Sequence, residues 1–268
     1  MNRIFVAVDL TQISSNLCHF LTDLAGKSIF SVKFYTALPA DVLLNLRKEA
    51  PYLLFHGLLE ELEYYEISYE IETYVQNDLK FIQEASKSGE TDLLISQSKS
   101  RYALHRHWHS KLDSKRQIHS FPPTLIIPSK GLLGQINHIT YAVDFDDYDP
   151  EILDSIIFLA TIFDAKLTIF HINTPEDKRK SSYVESLEQT ISDTLDYPKV
   201  YYKFFDDKDP FTGIQKFLTN SNTQLLAMIN RKEMTWKNLF SENSLTRKLA
   251  AKTYVPLLAF HKYEMSQE

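Results

Sequence analysis

The chain has 268 residues, which allows one large domain or two of ordinary size, and its 44% hydrophobic residues are enough to fill a core. A net charge of −6 argues against nucleic-acid binding, and a single cysteine excludes an internal disulfide. The first residues lack the order of a signal peptide and no apolar run reaches the roughly 18 residues of a membrane helix, so we expect a cytoplasmic protein that binds neither nucleic acid nor membrane.

The first half alternates predicted strands with predicted helices. A strand begins at the third residue, and Cys18 falls on the apolar side of the amphipathic helix that follows, where a packed thiol is the ordinary outcome. A longer second helix is predicted over residues 40–65, and apolar strands over 92–96 and 123–127. Apolar strands that alternate with helices indicate a parallel sheet covered on both faces.

Residues 128–135 contain the proline and glycines of a linker. We therefore expect one domain over residues 1–130 and a second over 136–262.

The second half follows the same order of elements. Asp149-Pro150 and Asp209-Pro210 each place an N-cap residue before a proline at the first helical position. The predicted strands are 138–145, 166–172, 200–205, 224–229 and 255–260, and further helices are predicted over 176–195 and about 243–253.

Three segments of the first half recur in the second, in the same order and at nearly constant offset. Such a pattern indicates two tandem copies of one domain. Arg3–Leu10 recurs as His138–Phe145 with Ala-Val-Asp in both, Asp92–Ser96 matches Gln224–Met228, and Pro123–Ile127 matches Val255–Ala259.

The two Ala-Val-Asp strands, together with Ser244–Ala250 leading into Val255–Phe260, resemble the universal stress protein (UspA-like) family in its tandem form. The resemblance implies an α/β fold with two copies of a doubly wound, five-stranded parallel sheet of the adenine-nucleotide alpha-hydrolase-like type, ordered 3-2-1-4-5. It also implies that the halves pack as a pseudo-dimer. A homodimer through exposed sheet edges is a further possibility, and the other expected partner is a protein that the sequence does not identify.

In open parallel sheets, ligands bind beyond the carboxyl ends of the strands where the winding direction reverses. The resemblance implies ATP in that crevice, with an Asp at the end of strand one facing the nucleoside. Asp9 and Asp144 occupy this position in the two halves. Each also has a structural interpretation, as a helix cap or as an ion-pair partner of Lys99 or Arg101 for Asp9, and of Arg231 for Asp144.

The family's phosphate loop, Gly-x2-Gly-x9-Gly-(Ser/Thr) after strand four, depends on glycines that let backbone N–H groups surround the phosphate oxygens. The corresponding positions of the second half are Asn230, Glu233, Asn243 and Ser244, so only the serine matches. The first half has no glycine between Gly89 and Gly131. We therefore expect no cofactor, with ATP in the second domain as the alternative. The candidate ligand contacts are Asp144, Asn230, Asn243, Ser244 and Asp9.

Other residues of the second half and of the 105–109 segment have further interpretations. Ser244 is also a candidate N-cap of the last helix, where Arg247 and Lys248 could reach a bound anion. His105 and His109 have the i, i+4 spacing that zinc accepts but lack a third ligand, so a solvated face is expected and no metal. No nucleophile elbow or P-loop is present, and no catalytic residue is predicted. A lipid or a nucleotide without phosphates would suit the aromatic residues Tyr35, Tyr202, Phe204 and Trp236.

The sequence thus predicts a stress-response interaction or regulatory module without enzymatic activity. The alternative is a nucleotide-binding protein, with slow ATPase or sensor activity in the second domain.

Overall fold

The computed structural model describes residues 2–8, 13–36, 50–73, 91–98, 122–131, 133–144, 149–175, 196–230, 245–252 and 254–261. Within these ranges the elements are β1 (Arg3–Ala7), α1 (Ser15–Ala25), β2 (Ser31–Thr36), α2 (Ala50–Tyr64), β3 (Ser68–Thr73), β4 (Leu93–Gln97), β5 (Thr124–Ile127), β6 (His138–Ala142), α3 (Pro150–Phe163), β7 (Lys166–Asn173), β8 (Val200–Asp206), α4 (Pro210–Asn220), β9 (Leu225–Asn230), α5 (Leu245–Lys252) and β10 (Leu257–His261).

The chain divides into two compact units. One unit consists of Met1–Leu133 together with Asn230–Glu268, and the other is Gly134–Ile229. The domain limits 1–130 and 136–262 remain a prediction from the sequence.

The first unit contains a parallel sheet in the order β3-β2-β1-β4-β5. This confirms the predicted order 3-2-1-4-5 in the first half. The strands are apolar because both faces of a parallel sheet are normally covered. Four of the five residues of β1 are buried, as are all residues of β4 and β5.

The helices α1 and α2 cover one face of this sheet. The Phe34 ring of β2 meets the Phe55 ring of α2 edge to face, with ring centroids 5.1 Å apart. On α1, Leu17, Leu21 and Leu24 are fully buried. Cys18 is buried, which confirms its predicted role as a packed side chain, and this burial raises the pKa of its thiol to about 12. Of the helix predicted over 40–65, the structure describes the part that begins at Ala50.

The last strands of the two halves pair with each other. β10 is antiparallel to β5, with Leu258 opposite Leu125 and Leu257 opposite Ile126. The sequence pattern alone did not predict this pairing, because it connects strands that lie far apart in the chain.

The second unit contains a parallel sheet in the order β8-β7-β6-β9. The predicted helix starts are confirmed, because Asp149 accepts a hydrogen bond from the Glu151 N–H (3.1 Å) and Asp209 accepts one from the Thr212 N–H (2.9 Å). The helix predicted over 176–195 lies outside the described residues.

Helix α4 packs very closely on β7. The rings of Phe217 and Phe170 stack with centroids 3.9 Å apart. A Cβ atom on Gly213 would lie 2.7 Å from the Cδ1 atom of Ile172, so the absence of a side chain at this position permits the close approach. No helix in the described ranges is long and apolar enough to cross a membrane.

His138, at the start of β6, is half-buried, and its Nε2 atom lies 2.7 Å from the Thr168 hydroxyl oxygen. Burial lowers the pKa of His138 below its ordinary value, and the positive charge of Lys166 lowers it further.

We predict opposite effects of the same substitution at two helical glycines. Gly213→Ala should lower the free energy of unfolding by about 1 kcal/mol, the low end for overpacking, because the terminal methyl group of Ile172 must move aside. Gly57→Ala in α2 meets nothing within 4 Å and should raise it by about 0.5–1 kcal/mol through helix propensity. Urea unfolding of both variants measures the difference. Equal effects would contradict the close approach of α4 to β7.

We also predict that stability falls with acidification through His138. Because its pKa is lower in the folded state, the unfolded chain binds a proton more readily. This contribution is complete above pH 6.5 and is lost as the pH falls from there to the lower pKa of the folded state. Urea midpoints measured between neutral pH and pH ~5 should therefore depend less on pH in His138→Gln than in the parent protein. An unchanged pH dependence would refute the assignment.

Candidate functional site at the carboxyl edges of the sheets

In the second unit, the chain order reverses at the end of β6, which pairs with β7 on one side and with β9 on the other. The Val143 N–H donates to the Phe170 carbonyl (2.9 Å), so strand pairing continues one residue past β6. Asp144 follows directly and is partly exposed. The structure therefore places Asp144 at the crevice predicted from the sequence.

His171 is a buried residue of this edge that the sequence did not single out. It is 4% exposed, and its Nδ1 atom lies 2.9 Å from the Val143 carbonyl oxygen. Because a carbonyl oxygen only accepts, Nδ1 carries the proton and donates. The only signal in the sequence is one histidine within an otherwise apolar strand, and such a residue more often belongs to the core.

The carboxyl edge of the second unit is rich in aspartates. Asp206 accepts a hydrogen bond from the Asn173 amide (2.9 Å), and Asp207 pairs with Lys216 of α4 (2.7 Å). The Lys216 hydrogen bond, followed by that from the Asp209 N–H, lowers the pKa of Asp207. The described carboxylates at the ends of β6 and β8 and at the starts of the next helices are Asp144, Asp149, Asp206, Asp207 and Asp209.

The remaining predicted site residues are only partly described. Asn230 is the last residue of β9, and Lys248 is exposed on α5, which also contains Arg247. The residues Asp9, Lys99, Arg101, His105, His109, Arg231, Glu233, Trp236, Asn243 and Ser244 lie outside the described ranges. The predicted contacts of Asp144 with Asn243, Ser244 and Arg231 therefore involve residues outside the described ranges and stay predictions.

In the first unit, Gln97 ends β4 and is 1% exposed. Its Oε1 atom accepts a hydrogen bond from the backbone N–H of Ser14 (2.6 Å), and the Ser14 hydroxyl oxygen accepts one from the Leu17 N–H (3.2 Å) at the start of α1. The Gln97 Nε2 atom is buried without a hydrogen-bond partner among the described residues. Gln97 thus fastens the first turn of α1 to the end of β4.

Asn16 connects the same helix to the segment that joins the two repeats. Its Nδ2 group donates to the Pro128 carbonyl (2.8 Å), and its Oδ1 atom accepts from the Leu133 N–H (3.1 Å). Asn16 is 4% exposed, the hydrogen bond to Pro128 is buried, and the one from Leu133 is part-buried. The predicted linker is therefore held to α1 at both of these points.

A groove of about 490 Å³ lies on the face of β1, β2 and β3 opposite α1 and α2, and Arg3 lines one end. Lys33 in this groove pairs with Glu72 (2.5 Å) and Glu70 (3.8 Å). Tyr35 stacks on Phe5 with ring centroids 5.2 Å apart and is 3% exposed, as core packing requires. The central charges thus satisfy one another. Among the described residues, no group of three histidine, cysteine or acidic side chains could hold a metal ion.

Solved structures of the same architecture come from several sources. A universal stress protein from Archaeoglobus fulgidus superposes with a TM-score of 0.67 at 14% identity, covering 97% of this chain and 96% of that one. A putative universal stress protein from Pseudomonas aeruginosa gives 0.61 at 12% identity, with 97% and 93% covered. The chain has the fold of universal stress proteins.

The cytoplasmic domain of a prokaryotic cation chloride cotransporter has the same architecture, with a TM-score of 0.57 at 13% identity and coverage of 96% of this chain and 94% of that one. No protein-family model and no curated protein matches the sequence. The resemblance inferred from the Ala-Val-Asp strands is thus confirmed as a fold. At identities this low, the binding residues of those structures do not transfer to this chain.

We predict that Asn16→Ala lowers the free energy of unfolding by about 2 kcal/mol, because it leaves the Leu133 N–H and the Pro128 carbonyl without their buried partner. His19→Ala, at an exposed position of the same helix, is the matched control and should change stability by less than about 0.5 kcal/mol. Chemical unfolding of the two variants tests this, and equal stabilities would refute the role of Asn16.

Proposed function

We propose that the protein is a regulatory interaction module with the universal stress protein fold, and that it acts without catalysis. The observation that carries this proposal is the segment between the last residue of β9, Asn230, and the first residue of α5, Leu245. This is where the family's phosphate loop would lie, and the segment contains no glycine.

Glycine matters here because a side chain keeps the backbone away from a ligand. A phosphate loop uses successive N–H groups directed at the oxygens, often in backbone conformations that residues with a Cβ atom avoid. The second half has Asn230, Glu233 and Asn243 where the pattern requires glycines, so the cradle is lost and one acidic side chain is added.

The charges at the described carboxyl edge of the second unit also disfavour phosphate binding. Five aspartates lie at the ends of β6 and β8 and at the starts of the following helices, and they outnumber the described lysines of this edge, Lys208 and Lys216. Two like unit charges 4 Å apart repel by about 1 kcal/mol in water and by about 4 kcal/mol near a protein surface. Incoming phosphates would meet this repulsion without a glycine loop to offset it.

A protein partner is the expected ligand of such a module, and the cytoplasm is its expected location. The architecture shared with a cytoplasmic domain of a transporter supports a role within a larger assembly. We also propose that the pairing of β5 with β10 holds the two repeats together as a pseudo-dimer, because it joins the last strand of one repeat to the last strand of the other.

A second candidate function rests on Asp144. Its position directly after β6, where the chain order reverses, matches the Asp that faces the nucleoside in ATP-binding members of the family. A nucleotide sensor or slow ATPase would use this residue and would need backbone donors from the loop after β9.

Calorimetric titration with ATP and Mg²⁺ distinguishes the two functions. We predict no saturable heat, because the segment after β9 contains no glycine to cradle the phosphates.

Binding near the micromolar range would overturn the proposal if it were lost in Asp144→Ala and kept in Asp154→Ala, an exposed position on α3. Binding that survives both substitutions would locate a nucleotide elsewhere on the chain and would refute both candidate functions of this crevice.

A further inference from the structure

The strands β3 and β8 occupy the same place in the two repeats. In the described part of the chain, β3 pairs with β2 alone and β8 pairs with β7 alone. An edge strand presents unpaired backbone N–H and C=O groups that another strand can use. Because the backbone groups are alike at both edges, the side chains decide which second strand each edge can pair with.

On one face, these two edges carry charges of opposite sign. Ser68, Glu70 and Glu72 alternate along one face of β3. Lys33 pairs closely with Glu72 and only at 3.8 Å with Glu70, whose side chain is 74% exposed. On β8, Lys203 is exposed on the corresponding face next to Tyr201, which is 49% exposed. Lys199 precedes β8 and pairs with Asp164, and Lys166 of β7 lies over the Tyr201 ring, whereas Lys203 is an exposed residue of β8 itself.

The other face of each edge carries exposed apolar side chains. Ile71 on β3 is 42% exposed and Phe204 on β8 is 39% exposed. Large apolar side chains at an unprotected strand gain from cross-strand packing, in which residues directly opposite each other come into contact.

We propose that β3 of one copy of this chain pairs antiparallel with β8 of a second copy. The register that places Glu70 opposite Lys203 also places Ile71 opposite Tyr202 and Tyr69 opposite Phe204. Charges of opposite sign then meet on one face of the new pair and apolar side chains meet on the other. Antiparallel pairing is slightly more stable per residue than parallel pairing.

Pairing of like edges is disfavoured by the same side chains. Two β3 strands would bring the glutamates of both copies together, and two β8 strands would bring Lys203 near the Lys199 of the other copy. The contact is therefore head-to-tail and uses different surfaces on the two copies. Such contacts build rings when the rotation closes and open chains when it does not. A contact of one strand pair is small, so it should be weak and sensitive to salt.

The experiment is sedimentation velocity over a range of protein concentrations at low ionic strength, with the parent protein and two charge reversals. Glu70→Lys and Lys203→Glu should each weaken self-association about tenfold, because each turns an attractive pair into a repulsive one. Both side chains are exposed, so circular dichroism and thermal unfolding should match the parent protein.

The decisive sample is an equimolar mixture of the two variants. The lysine introduced by Glu70→Lys in one copy would then face the glutamate introduced by Lys203→Glu in the other, and the unchanged Glu70 would face the unchanged Lys203. The mixture should therefore recover the association of the parent protein, as should a double variant that carries both substitutions. Added salt should weaken the association in all associating samples.

A parent protein that stays monomeric up to millimolar concentration would overturn the proposal. It would equally fail if the single variants associated like the parent, or if their mixture remained dissociated. The proposal is independent of nucleotide binding, so the calorimetric result does not bear on it.

Discussion

Burial of parallel strands on both faces is the constraint on which the rest of this structure depends. A parallel pair requires a crossover connection, and the helix in that connection must cover an apolar face of the sheet. In the first unit this is visible in the contact of Phe34 with Phe55, and in the second in the stack of Phe170 on Phe217. Because the strands of each parallel sheet run the same way, their carboxyl ends collect at one edge, where polar side chains can meet.

The carboxyl edges of the two parallel sheets carry different polar side chains. At the carboxyl edge of the first, Gln97 hydrogen-bonds the start of α1, and Asn16 hydrogen-bonds the segment that joins the two halves. These two polar side chains therefore stabilise the fold. In the second repeat, Asp144 directly follows the residue whose carbonyl binds the buried His171, and further aspartates line the edge. The outer strands differ as well, with two glutamates on β3 and with a lysine, an aspartate and aromatic residues on β8.

Much of the fold could be predicted from the sequence because its signals are local. The caps Asp149 and Asp209 bond to residues two or three positions away, and the apolar strands reflect burial that each strand experiences as a whole. The candidate site was predictable only through Asp144, which follows a recognisable strand. His171 and Gln97 were missed because one polar residue in an apolar strand gives no indication of its partner.

The sequence by itself determined the order of the elements and the lack of glycine in the segments that follow β4 and β9, and it predicted the duplication. These properties follow from composition and periodicity over a few neighbouring residues. Tertiary structure alone decided that β10 pairs with β5, that Asn16 reaches Pro128 and Leu133, and that α4 approaches β7 closely enough to require Gly213. Each of these contacts joins different elements of the fold. Its energy depends on distance and orientation in space, which no local pattern of residues specifies.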